Sequence, residues 1–201
     1  MQFKISSQWS FLIVGITGIL FSLIIIFFPI NDKLIKSNQA SIQAITFTEQ
    51  ASTGLPVRLK IPKINVDAVV EYVGLTSEGA MDVPKGPMEV AWFNLGPRPG
   101  EQGSSVIAGH SGYKDNIPAV FDNLHKLKKG DRIYVEDGNG TITTFVVRES
   151  RRYDPEADAS NVFDLNDGNV HLNLITCIGI WNETAKSRSE RLIIFTDKEI
   201  K

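Results

Sequence analysis

The pattern of apolar and polar positions divides the 201 residues into two textures. From Phe11 to Phe28 the chain reads FLIVGITGILFSLIIIFF, with no charged residue. As a helix rising about 1.5 Å per residue this run spans about 27 Å, close to the roughly 30 Å hydrocarbon core of a bilayer. Trp9 stands just before it, where an amphipathic ring suits the membrane interface. A cleaved secretory h-region is shorter and ends at a small-x-small site, which Pro29-Ile30-Asn31-Asp32-Lys33 does not offer. The pattern therefore predicts an uncleaved transmembrane signal-anchor over 11–30, behind a short flank over 1–10. Lys4 and the terminal amine on one side nearly balance Lys33 and Lys36 on the other, so charge alone does not orient it. Residues 31–55, rich in Ser, Asn, Gln, Thr and Lys without a clear period, read as a stalk closed by Gly54-Leu55-Pro56.

From Val57 onward the period changes to two. Val57–Ile61 alternates as a half-buried strand does, and Pro62 interrupts it. Val66–Val73, Ser104–Gly109, Arg132–Val135, Thr141–Val147, Val170–Cys177 and Leu192–Thr196 are further strand candidates. Asp137-Gly138-Asn139-Gly140 supplies turn chemistry for a hairpin between the fourth and fifth of these runs. Val120, Phe121, Leu124 and Leu127 fall at helical spacing over Pro118–Lys126, and Pro155–Phe163 suits a short helical turn. Many short strands separated by Gly and Pro predict one β-barrel or sandwich domain over 56–201.

Composition then narrows the chemistry. The formal net charge is −2, which argues against nucleic acid as a partner. One cysteine excludes an intramolecular disulfide and a Cys-rich metal site. That thiol, Cys177, is either a small buried hydrophobe or a nucleophile. It closes the run VHLNLITC, with Gly179 expected to end the strand, so it is held rigidly yet within reach of solvent. With an ordinary pKa of about 8.5, a thiol benefits from a nearby base or cation. Three histidines compete for that role. His171 lies six residues upstream on the same strand, roughly 20 Å away at about 3.3 Å per residue. His125 sits among Lys126, Lys128 and Lys129 and reads as a solvated surface residue. His110 ends the apolar run SSVIAG as Cys177 ends its own, so two strand ends at one rim would form a Cys–His pair. Acyl transfer also needs a positive group for the oxyanion. Arg191 abuts the last strand, and Arg188 falls in the loop expected before it; position favours Arg191. Glu149, Asp154, Glu156 and Asp158 are scattered surface carboxylates, so neither a metal nor a cofactor is predicted.

These residues carry a resemblance. Leu174-Ile175-Thr176-Cys177 resembles the Thr-Leu-x-Thr-Cys signature of sortases, with Asn173 departing at its first position. Ser105-Val106-Ile107-Ala108-Gly109-His110 resembles the family's histidine strand, and Arg191-Leu192-Ile193-Ile194 the arginine that opens its last one. Ala91-Trp92-Phe93 and Gly96-Pro97-Arg98-Pro99-Gly100-Glu101 are similar to a stretch found in the class E and F types. The likeness covers about residues 57–197.

It implies a closed eight-stranded β-barrel and a cysteine transpeptidase with Cys177 as nucleophile, His110 as proton carrier and Arg191 as oxyanion or substrate-binding cation. Thr176, Ser111 and Ile175 are expected to contact substrate. The implied partners are surface proteins bearing a C-terminal sorting motif and an amine acceptor such as a peptidoglycan precursor. The catalytic domain would then face outside the cytoplasm, anchored to the cell membrane by its single span. The polar segment Ser150–Asn169 would shape motif selectivity. No second apolar run precedes Lys201, so wall anchoring is favoured over pilus assembly. An L,D-transpeptidase, whose histidine lies shortly upstream of its cysteine, fits poorly, because His110 precedes Cys177 by 67 positions. A cysteine peptidase, or a membrane-tethered binding domain with Cys177 merely buried, remains as an alternative reading.

Overall fold

The computed structural model describes residues 54–112, 117–165, 167–184 and 187–200. The predicted membrane span and nearly all of the predicted stalk lie outside the described residues. Among the described residues, no helix is long and apolar enough to cross a membrane.

Eight strands close into a barrel: β1 (Pro56–Ile61), β2 (Val66–Val73), β3 (Val90–Phe93), β4 (Gly103–Gly109), β5 (Arg132–Asp137), β6 (Ile142–Tyr153), β7 (Val170–Asn182) and β8 (Ser187–Lys198). Around the barrel they run β1-β2-β3-β4-β7-β8-β6-β5. The β2–β3 and β4–β7 pairs are parallel and the others antiparallel. Closure leaves no free sheet edge, the usual hazard of an all-β chain.

Two apolar clusters follow from the alternation of side chains across each strand. Leu59, Ile61, Val70, Ile107, Leu172, Leu174, Leu192 and Ile194 point inward and fill the barrel. Val106, Ala108, Ile175, Ile193 and Phe195 point outward, where Ala159 and Val162 pack on them. These last two belong to the connection that carries a one-turn helix, α1 (Ser160–Phe163). Strands covered on both faces explain why β4 and the first half of β7 are buried at almost every position, polar residues included.

The structure corrects several expected boundaries. Val90–Phe93 is a strand, which the sequence pattern did not single out as one. The run 118–126 is not a helix: it forms turns and a three-residue 3₁₀ segment at Leu124–Lys126. β6 reaches Tyr153, so the connection to β7 begins four residues later than its polarity suggested. β7 does not stop at Cys177. Gly179, with φ of 85°, absorbs a register shift between Ile178 and Trp181, and the β7–β8 hairpin continues past it. Arg188 accordingly lies within β8 rather than in a preceding loop.

Candidate active site

The ladder registers place the predicted residues. Ala108 of β4 pairs with Ile175 of β7, and Ile175 pairs with Ile193 of β8. All three face outward. Two residues further along each strand restores the same face. The next row is therefore Cys177 and Arg191, which pair directly, with His110, the residue just past the end of β4, level with them. Neighbouring strands lie about 4.8 Å apart, so residues distant in sequence meet in one line across β4, β7 and β8.

His110 and Cys177 are both half-buried. The Nε2 of His110 lies 2.8 Å from the Pro84 carbonyl oxygen. A carbonyl only accepts, so Nε2 carries the hydrogen. The His110 carbonyl accepts from the Phe121 N–H at 2.9 Å, fixing the backbone on the other side. Thr176 is fully buried, and its hydroxyl donates to the Gly109 carbonyl at 2.8 Å, tying the residue before Cys177 to the residue before His110. Ile175 is also fully buried, in the floor of the outer cluster. Ser111 is half-buried and lines a cleft with Gly112, Asp122, Ile178, Gly179 and Arg188. A second cleft, of about 680 Å³, opens on His110 between Tyr72, Val73, Asp82, Val83 and Lys85.

Arg191 is 1% exposed. Its Nη1 donates to the carbonyls of Arg188 (2.8 Å) and Glu190 (3.2 Å), and its Nη2 to the Ser187 hydroxyl (2.7 Å). Its Nε has no partner among the described residues, and no described carboxylate lies within ion-pair range. A buried cation held only by neutral acceptors keeps its charge uncompensated, which favours an anion beside it. One strand position away, the Cys177 thiol is well placed for chemistry that develops one.

The other two histidines stand apart from this row. His125 is exposed. His171, at the opposite end of β7, is buried between Asp197 (2.8 Å from Nδ1) and Asp167 (2.9 Å from Nε2). The imidazole beside Asp167 holds that carboxyl well below the usual carboxylate range, aided by the Asn169 N–H. Sequence reasoning missed one contributor to the site and set aside another. One is the Pro84 carbonyl, a backbone group with no residue signature. The other is the Arg188 side chain, whose placement depended on β7 and β8 continuing past Gly179. Among the described residues, no group of three or more His, Cys, Asp or Glu side chains could hold a metal ion.

The Sortase domain family matches residues 59–199. No curated protein matches the chain. Among solved structures, sortase C-1 from Actinomyces oris is 26% identical, with a TM-score of 0.56 over 72% of this chain and 73% of that one. The sortase D5 transpeptidase from Clostridium perfringens is 24% identical, with a TM-score of 0.54 over 73% and 79%. A lid mutant of sortase A from Corynebacterium diphtheriae shares the fold at 21% identity, with a TM-score of 0.58 over 76% and 74%. A domain match spanning most of the chain, on a closed barrel that sets one cysteine between a histidine and an arginine, places the protein in the sortase family of cysteine transpeptidases.

Proposed function

We propose that the chain joins proteins to an amine by a two-step acyl transfer on Cys177. The Cys177 thiolate attacks the carbonyl carbon of a threonyl residue in an extended C-terminal sorting motif, forming an S–C bond and a tetrahedral oxyanion. Arg191 stabilises that oxyanion, consistent with its uncompensated burial. The C–N bond then breaks as His110 passes a proton to the leaving amine. With Nε2 engaged by Pro84, that exchange runs through Nδ1. The acceptor amine attacks the resulting thioester, its surplus proton returns to His110, and the S–C bond breaks to release the joined product and the thiolate. The observation that carries this reading is the single row His110–Cys177–Arg191 across β4, β7 and β8.

The remaining residues take supporting parts. Thr176 holds the β4 end beside β7 through Gly109, Ile175 floors the groove beneath the motif, and Ser111 lines the cleft beside Cys177. The 154–169 connection, seated on the groove by Val162, selects the motif. The apolar run Phe11–Phe28 supports a single-pass anchor, and membership of the sortase family supports surface proteins as substrates, a peptidoglycan precursor as acceptor and a barrel outside the cytoplasm. The stretch 91–101 aligns the chain in pattern with class E and F sortases.

The test is joining of a labelled threonine-containing peptide to an amine by the full-length chain. Cys177→Ala abolishes product, and His110→Ala and Arg191→Ala each lower kcat/KM by about 10²–10³-fold, the range for removing one acid–base or oxyanion group. Arg191→Ala at the wild-type rate would remove the oxyanion role.

A further inference from the structure

The β4–β7 ladder ends at Ala108–Ile175, one row short of the catalytic pair. His110 and Cys177 therefore sit where the hydrogen bonds between β4 and β7 have run out, although β7 stays paired with β8. On the ladder side, Thr176 ties the two strands through Gly109. On the far side, one side chain makes the connection. Arg188 of β8 donates from Nη1 to the Gly179 carbonyl at 2.8 Å and from Nη2 to the Gly112 carbonyl at 3.2 Å.

Both acceptors occupy the same place relative to the chemistry. Gly112 lies two residues after His110, and Gly179 two residues after Cys177. Both glycines have positive φ, 60° and 85°, a conformation that L side chains rarely adopt. A Cβ on Gly112 would collide with the Arg188 guanidinium, so glycine there also makes room for the strap. The surroundings complete the arrangement: the Gly112 N–H donates to Asp122 at 2.7 Å, and the Ile180 N–H to the Ser189 hydroxyl at 3.0 Å.

We infer that Arg188 is a positioning residue for the transpeptidation, a two-handed strap that fixes the separation of His110 and Cys177 by clamping the loop after each. A planar guanidinium presents parallel donors in a fixed fork, so it sets the spacing of two carbonyls; a lysine ammonium is a single compact donor group without that fork. Proton exchange and attack tolerate little misplacement, since about 1 Å costs up to about 10²-fold in rate. The inference rests on the proposed roles of His110 and Cys177, but not on the identity of the peptide. Only the side chain is at issue, because the Arg188 backbone carbonyl serves Arg191 separately.

The experiment is the rate of Cys177 alkylation by iodoacetamide in the full-length chain, which needs no peptide, compared across wild type, Arg188→Ala, Arg188→Lys, His110→Ala and the His110→Ala/Arg188→Ala double variant. Arg188→Ala lowers the rate about tenfold or more. Arg188→Lys falls nearly as far, because the charge is kept and the fork is lost. Once His110 is gone, removing Arg188 changes nothing further. In peptide joining, Arg188→Ala lowers kcat while KM stays within about twofold. A wild-type rate in Arg188→Ala, full recovery in Arg188→Lys, or an additive loss in the double variant would each overturn the strap. Absence of peptide joining in the wild type would sink the sorting-motif reading alone, with the alkylation cycle still deciding this one.

Discussion

Two buried charges are handled in opposite ways. Asp137, at the β5–β6 turn, is wrapped by backbone donors: Oδ1 accepts from the Asn139 (2.9 Å) and Thr141 (2.8 Å) N–H groups, and Oδ2 from that of Gly54 (2.9 Å). Burial pushes its carboxyl pKa up, but these N–H groups outweigh that and hold it below the usual value. Arg191 instead has neutral acceptors and an Nε without a partner among the described residues, an arrangement that leaves its charge available to an anion. The sequence pointed to a turn at 137–140 but not to the carboxylate that organises it, because three donors converge only after Gly54 returns to the hairpin. Asp137→Asn puts an amide donor where one of these oxygens accepts, and the expected loss is roughly 1–3 kcal/mol in chemical denaturation. The sign of its pH dependence follows. A depressed carboxyl pKa adds stability above its unfolded value of about 3.9, and that stability disappears as pH falls through the lower folded value. The gap between wild type and Asp137→Asn should therefore narrow below about pH 4, and a constant gap down to low pH would contradict this account.

At the scale of elements, the spacing of apolar residues reported burial faithfully and conformation less so. Val120, Phe121, Leu124 and Leu127 are all buried, as their helical period suggested, yet the segment is a chain of turns. Asp122 explains the difference: its carboxylate accepts from the Ala119 and Gly112 N–H groups, closing turns where a helix would bond along its own axis. The segment's purpose lies in its contact with the end of β4. A Cβ on Gly109 would stand 2.5 Å from Phe121 Cδ2 and 2.8 Å from Val120 Cγ1, so the strand carrying His110 seats against this wall only through a glycine. Gly109→Ala should lower stability by about 1–3 kcal/mol in thermal or urea unfolding, the usual effect of overpacking, and should lower the alkylation rate of Cys177 as His110 is displaced. Unchanged stability would mean that the wall yields. The extension of β7 past Cys177 was equally hidden, since a glycine two residues after the thiol reads as a stop unless its positive φ is known to serve a bulge.

Over the whole molecule, closure turns local legibility into a site. Seven of the eight strands were readable from their own residues, though the far ends of β6 and β7 and the start of β8 were not. The parallel β4–β7 pairing was not, because β5, β6 and the 154–169 connection intervene between its partners. It is that pairing which carries position 110 toward 177; the resemblance to sortases implied a closed barrel and a shared site but named no strand pairing. The far end of β7 is secured independently, through His171 between Asp167 and Asp197, with Arg148 donating to Asp197 at 3.0 Å. This fastens the tail of the 154–169 connection to β7 and β8, while Val162 seats its middle on the outer apolar cluster. The Asn173 amide adds a bond to the Val162 carbonyl at 2.6 Å, so the one departure from the family's strand signature supports the connection packed on that cluster.

The most direct measurement is intact-protein mass spectrometry of the full-length chain incubated with a library of threonine-containing pentapeptides, before and after adding an amine. The account predicts a mass increase equal to a truncated peptide acylated on Cys177, which disappears as the amine-linked product forms and which never forms in Cys177→Ala. No adduct with any peptide in the library, or peptide–amine product that persists in Cys177→Ala, would contradict it.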